Sequence, residues 1–425
     1  MSFEKEEPQS QPSVTESGSI VNDWDADEER KLIRKVDFYV LPLLLIAFFF
    51  LCLDRSNISN ALTDHFITDL GITTAQATLG NQLQQAGIII FELPANILLA
   101  RVRAHRWLVF QMLAWGCIAT FQCFIQNRAQ YYATRFLLGV VEGGFIPGAM
   151  YLLSEFYPRS VVSTRFAIFY YGNYIASGTS TLIAAGLLTL DGIRGWSGWR
   201  WLFLVDGAMT LTFSLVLLVL LPGSPPDTRP VHKSFNLFSP REGHLLQTLQ
   251  LSSPSPSSSS PSPSLLKALT TPTPYLHFTI NLLSLLPAGG LVLFGPTILE
   301  SLSFHRTTAN ALIAVGYFTA LPLALGLSIF ASRTHLTSLA CLLSYSWCLV
   351  FVGLFYHFYT TTTPHTSPWT LYALFTLIVA GMLIAQPVNN AWCSRNARNE
   401  RERSVGLALC VIGSNLGGAF GAEDV

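Results

Sequence analysis

The sequence predicts an all-α polytopic membrane protein, and three observations point there. Of its 425 residues, 50% are hydrophobic and only 12% are charged, against about 25% charged in ordinary soluble domains. The apolar residues gather in blocks near the roughly 20 residues that a helix needs to cross a bilayer. A polar Ser/Pro-rich stretch divides those blocks into a first set of six and a second set of five.

Residues 1–35 are polar, with acids from Glu4 to Glu29 ahead of Arg30, Lys31, Arg34 and Lys35. No short apolar core follows a basic start, so a cleaved signal peptide is not expected and this segment reads as a disordered tail. The apolar blocks lie near 37–60, 77–99, 107–126, 131–154, 165–190 and 199–221, then near 275–299, 308–331, 336–358, 369–392 and 404–421. Between the sets, 222–272 includes Ser252-Ser253-Pro254-Ser255-Pro256-Ser257 and more of the same to Ser264. That composition reads as a flexible linker. The expected organisation is a tail (1–35), a six-helix bundle (36–221), the linker (222–272) and an incomplete second bundle (273–425). A repeat of the first half calls for a twelfth block, whereas the sequence closes on Glu423-Asp424-Val425 after the eleventh. About eleven spans in two halves is the layout of many secondary transporters.

Lys and Arg placement sets the expected orientation. Arg30 to Lys35, Arg101, Arg103 and Arg106, Arg159 with Arg165, the linker's Arg229, Lys233, Arg241 and Lys267, and Arg395 to Arg403 share one side, with Arg128, Arg194 and Arg306 as scattered exceptions. Loop 61–76 carries Asp64 and Asp69 but no Lys or Arg. The amino terminus and linker are therefore expected in the cytoplasm, in a multi-pass protein of the plasma membrane. Formal charge is zero, so no global field draws nucleic acid. The seven cysteines form no C-x-x-C and read as packing residues. No G-x-x-x-x-G-K-[ST] occurs, so ATP hydrolysis is not expected. Neither a cofactor nor a metal is expected, and transport must draw on an ion gradient.

The chemistry lies in a few ionisable residues inside apolar blocks, each costing ~2.5–3.5 kcal/mol to insert unless it faces a partner or water. Asp54 and Arg55 are neighbours, so on a helix they point about 100° apart and need separate partners. Two readings stand for them. The helix ends at Leu53 and they sit among headgroups, or it continues through Ser56-Asn57-Ile58-Ser59-Asn60 and carries them inward. Arg135 and Glu142 are seven residues apart, about two turns, and so share a face. The same block holds Gly139, Gly143, Gly144 and Gly148, two interleaved small-x-x-x-small patterns that let another helix approach closely. Glu92 precedes Arg101 by about two turns and reads as a gate or packing contact. Asp206, about two turns after Arg200 and its flanking tryptophans, reads as architectural, with Arg200 as its partner. In the second half, Pro287-Ala288-Gly289-Gly290 and Gly295-Pro296 are expected to interrupt the seventh block, and Asn389, Asn390 and Asn415 could donate hydrogen bonds.

Several of these stretches resemble family signatures. They are Leu53-Asp54-Arg55-Ser56-Asn57-Ile58, Phe91-Glu92-Leu93-Pro94-Ala95-Asn96, the run from Arg135 to Gly148, Phe156-Tyr157-Pro158-Arg159 and Gly198-Trp199-Arg200-Trp201-Leu202-Phe203. Together the chain resembles the anion:cation symporter family of the major facilitator superfamily, in its fungal allantoate, nicotinate and pantothenate permease branch. The likeness is dense to about Pro222 and looser beyond. It implies two six-helix bundles that alternate access and move organic anions with protons. Carried over by motif, Arg55 would hold the substrate anion, Asp54 and Glu142 would be the protonatable pair, and Arg135 would be the partner of Asp54. Asn173 would be a substrate contact, and Arg101 and Arg103 would belong with Glu92 to the gate. The gate's counterpart shrinks to Ala331-Ser332-Arg333-Thr334-His335, and against the family's pattern the last helix is expected to be absent. The expected partners are therefore a small organic anion, protons and the lipid bilayer. The alternatives are an exporter of a secondary metabolite and an inactive, non-transporting membrane protein.

Overall fold

A computed structural model describes residues 25–62, 64–158, 161–232, 236–252, 269–293, 298–299, 302, 304, 306–360, 367–382 and 384–421. The first half comprises α1 (Ala26–Ala61), the short α2 (Phe66–Leu70), α3 (Thr74–Val102), α4 (Ala104–Phe121), α5 (Arg128–Glu142), α6 (Phe145–Phe156), α7 (Val162–Leu188) and α8 (Gly198–Leu220). After the connecting helix α9 (Pro240–Ser252) come α10 (Pro272–Leu293), α11 (Arg306–Thr334), α12 (Thr337–Thr360), α13 (Pro368–Met382), α14 (Ala385–Asn396) and α15 (Glu400–Phe420). Eight helical stretches among the described residues are long and apolar enough to cross a bilayer. Packed with them are α3, α7 and α10, of 29, 27 and 22 residues.

Side chains mark where these helices start. Thr73 and Gln76 form a reciprocal capping box at α3, and Asn127 and Asn399 accept from the third backbone N–H of α5 and α15. Each cap satisfies a donor that the first turn leaves orphaned, a contribution of about 1 kcal/mol. Between α5 and α6 the fourth span breaks at Gly144, whose φ of 84° suits a residue without Cβ. Gln111 of α4 donates to the carbonyls of Val141 (2.9 Å) and Gly143 (2.7 Å), satisfying groups that the break frees. A Cβ on Gly139 would run into the carbonyl of Gln84. The glycine pattern of this span therefore admits α3, backbone against backbone.

Some expected boundaries shift. Helix α1 begins at Ala26, inside the stretch expected to be a tail, and Leu32 is buried because the helix packs into the core; residues 1–24 lie outside the described residues. Within 222–272, α9 is a packed helix and not a tether. Phe238, Leu245, Leu246 and Leu249 bury an apolar stripe, while Glu242 pairs with Lys35 at 2.8 Å and Arg241 with Glu28 at 3.2 Å. The Ser/Pro run from 253 onward lies outside the described residues. So do Gly295-Pro296 and the last four positions. Pro287 does not interrupt α10, which runs through it to Leu293.

The two halves meet through α3, α6 and α7 against α11, α14 and α15. Arg403 donates to the Ser154 carbonyl at 3.3 Å and lies over the Tyr151 ring at 5.4 Å. Thr164 and Ser332 share a hydrogen bond of 3.2 Å, and Asn390 donates to the Tyr170 hydroxyl at 2.8 Å. Ile89 and Leu93 pack on Val405, Leu409 and Ile412. These contacts gather towards the end of the molecule where α1, α7 and α15 begin.

Candidate functional site: a buried charge network in the first half

Helix α1 does not stop at Leu53. It continues to Ala61, which leaves Asp54 2% exposed and sets it and Arg55 on different faces. Arg55 Nε donates to Glu142 Oε2 at 2.7 Å. The Glu142 carboxylate is fully enclosed, whereas 21% of the Arg55 side chain remains exposed. Gln84 of α3 reaches the same carboxylate through Nε2, at 3.3 and 3.2 Å. Its Oε1 accepts from Arg135 Nη1 at 3.1 Å. One neutral amide thus joins the two ends of the charged stripe on α5, because seven residues along a helix span about 10 Å, too far for direct contact. Arg135 is completely buried, with the Tyr131 and Phe203 rings each 5.8 Å from its guanidinium. Its Nε and Nη2 have no hydrogen-bond partner.

Asp54 accepts from Thr210 Oγ1 of α8 at 2.9 Å. No hydrogen bond or ion pair joins it to Arg135 here, the partner that the resemblance implied, although the two are within electrostatic reach. Asp206 also departs from its expected place. Six residues separate it from Arg200, which rotates the two about 240° apart on the helix. Arg200 lies over the Trp199 ring at 4.3 Å and donates to the Cys123 carbonyl, while Asp206 turns inward towards Asp54. Glu92, 1% exposed, lies beside Gly144 and within electrostatic reach of Arg55. Arg101 is exposed, and Arg103 pairs with Asp227 at 2.7 Å. That contact outweighs the slight burial of Asp227 and holds its carboxyl below the usual carboxylate range. Asn173 is half-buried on α7 and accepts from Ser177 at 3.5 Å.

In the second half, His277 and Asn389 share a hydrogen bond of 2.7 Å, Asn389 donates to Asn281 at 2.8 Å, and Asn281 donates to Asn390 at 2.9 Å. Asn390 carries this neutral network across to Tyr170. The acids and bases of the membrane interior, by contrast, converge from four helices of the first half.

Residues 44–422 match the family model described as the Major Facilitator Superfamily. The chain belongs to the major facilitator superfamily. Its fold agrees with that of the proton:xylose symporter XylE (TM-score 0.67, 12% identity), with 92% of this chain and 88% of that one covered. Among relatives, a transporter of Saccharomyces cerevisiae, YIL166C, is 29% identical over 405 residues, 93% of this chain and 73% of that protein. A transporter of Agrobacterium vitis, whose name proposes tartrate as its substrate, is 32% identical over 215 residues. That match takes in 50% of this chain and 46% of the relative. This superfamily member is thus a multi-pass membrane transporter and not an enzyme.

Sequence reasoning overlooked Gln84, His277 and the inward direction of Asp206. The first two carry no charge in a run of residues, so no hydropathy signal singles them out. For Asp206 the signal existed in the helical angle from Arg200.

Proposed function

We propose that this protein carries a small organic anion, of the carboxylate type, together with protons. The observation that bears most weight is the Arg55–Glu142 pair. Arg55 is the charged member that keeps access to solvent, and a guanidinium presents the planar fork that matches a carboxylate. While Glu142 is ionised it occupies that fork. A proton on Glu142 removes the competing charge, and the substrate carboxylate takes its place on Arg55. Asp54 is the second protonatable group of this scheme, and Arg135 balances whichever carboxylate remains ionised. Asn173 extends the substrate contact, and Glu92, Arg101 and Arg103 serve the gate.

The gathered contacts between halves support a state sealed at the end where α1 begins, with Arg55 reached from the other. Lys and Arg placement supports a cytoplasmic position for the sealed end, and the reading places the protein in the plasma membrane. The A. vitis relative's name, with its dicarboxylate, agrees with an anionic cargo. One proton with one monoanion moves no net charge and draws on the pH difference alone. With two protons, net positive charge enters, and the membrane potential adds about 2.3 kcal/mol per 100 mV.

Reconstituted protein offered labelled tartrate and a panel of small carboxylates tests this reading. Glu142→Gln mimics the protonated acid, so it should lose accumulation driven by a pH gradient and keep exchange. Full accumulation by that variant would remove Glu142 from the scheme. Wild-type uptake indifferent to both pH gradient and potential would remove proton coupling altogether.

A further inference from the structure

We propose that Asp54 and Asp206 form a second proton site, a carboxyl pair that holds one shared proton in the arrangement seen here. This deepens the functional reading, in which Asp54 takes a proton and Asp206 has no role.

Helices α1 and α8 clasp each other through these acids. Thr210, one turn beyond Asp206 on the same face of α8, donates to Asp54 Oδ2 at 2.9 Å. Asn57, one turn beyond Asp54 on α1, lies against Asp206, although not in full hydrogen-bond geometry. Both carboxyls are buried, with exposures of 2% and 0%. Yet Asp54 Oδ1, both Asp206 oxygens and Asn57 Oδ1 find no donor. Buried acceptors without donors are rare in native proteins and costly to leave unpaired.

Charge counting leads to the same place. The network holds two guanidiniums, Arg55 and Arg135, against four carboxyls: Asp54, Glu92, Glu142 and Asp206. Glu142 is taken by Arg55. Arg135 of α5 can balance one further carboxylate, which leaves two acids in surplus. One of these is Glu92 of α3, outside the clasp. The other belongs to the pair. Two buried carboxylates within electrostatic reach of each other repel far more strongly than they would in water. One proton between them halves that charge to the single unit Arg135 can balance, and supplies an O–H to an orphan oxygen. The other groups acting on Asp54 are Glu142 of α5 and the Trp115 indole of α4.

The test needs no substrate. Infrared difference spectra of the purified full-length protein, in sodium-free buffer near neutral pH, report protonated carboxyls through their C=O stretch. Asp54→Asn and Asp206→Asn should each remove one such signal, and the double variant should remove no more than either alone. Asp206→Glu, which restores a carboxyl, should keep the signal at a shifted frequency and guards against a misfolded amide variant. An unchanged signal in Asp206→Asn, two signals lost in the double variant, or loss of the wild-type signal on adding sodium at constant pH would each overturn the pair. Uptake without proton coupling, alongside an intact shared-proton signal, would instead sink only the functional reading.

Discussion

In the proposed mechanism, Arg55 is the residue on which cargo recognition turns. Removing it leaves Glu142 enclosed without its cation, and breaking a buried pair from one side costs about 3–5 kcal/mol. Arg55→Gln should therefore abolish saturable binding of labelled carboxylates and lower the unfolding temperature in detergent. Combining it with Glu142→Gln removes both charges, so the double variant should recover thermal stability without recovering binding. That split separates a ligand-binding arginine from a structural one. If Arg55→Gln still bound carboxylates with wild-type affinity, the anion would be held elsewhere. Gln84 shows how little charge a network needs to be continuous: one amide presents its N–H groups to Glu142 and its oxygen to Arg135.

Among the elements, α9 changes its role most between sequence and structure. Its apolar residues seal against the first-half core, and Lys35 and Glu242 fix its rotation at 2.8 Å. Partial burial pushes the Glu242 carboxyl up. The Lys35 ammonium and the Ser239 backbone N–H outweigh that and bring it below its ordinary value. A carboxyl depressed in the docked state stabilises docking fully above its free value, about 4.3. That contribution fades as pH falls through the lower, docked value. Amide hydrogen exchange across 240–252 should therefore be slow near neutral pH and quicken selectively below about pH 4, after correction for intrinsic rates. Glu242→Gln should show the faster exchange already at neutral pH. Equal protection in that variant would mean that apolar burial alone seats the helix.

At the scale of the whole molecule, the contacts between halves decide which side of the site is shut. Thr164 and Ser332 lie at that seal, with their hydroxyl oxygens 3.2 Å apart. Introducing Thr164→Cys together with Ser332→Cys should permit a disulfide under mild oxidation, since the two side chains already touch across the interface. The crosslinked protein should still bind labelled carboxylate but fail to release it across the membrane, and reductant should restore transport. Undiminished transport by fully crosslinked protein would show that this end of the interface never opens. The neutral His277–Asn389–Asn281–Asn390 network reaches Tyr170 across the same interface. Hydrogen bonds of about 1 kcal/mol each can be exchanged for water when the halves part, which an unpaired charge could not do as cheaply.

Much of this architecture could be read from one dimension. Helical spans follow from runs of apolar residues, because a bilayer demands a fixed length and internal backbone bonding. The fourth span's glycines announced a close helix approach, and adjacency on a helix already required separate partners for Asp54 and Arg55. Which partners those are, only the tertiary structure decided. Pairing depends on how each helix is rotated and where it sits beside its neighbours, because a hydrogen bond forms only within about 3 Å. Thus Arg55 met Glu142, Gln84 filled the space between Glu142 and Arg135, Thr210 took the oxygen expected to face Arg135, and Asp206 turned from Arg200 towards the interior. Sequence determined which ionisable groups enter the membrane; packing determined which of them share a cation, an amide or a proton.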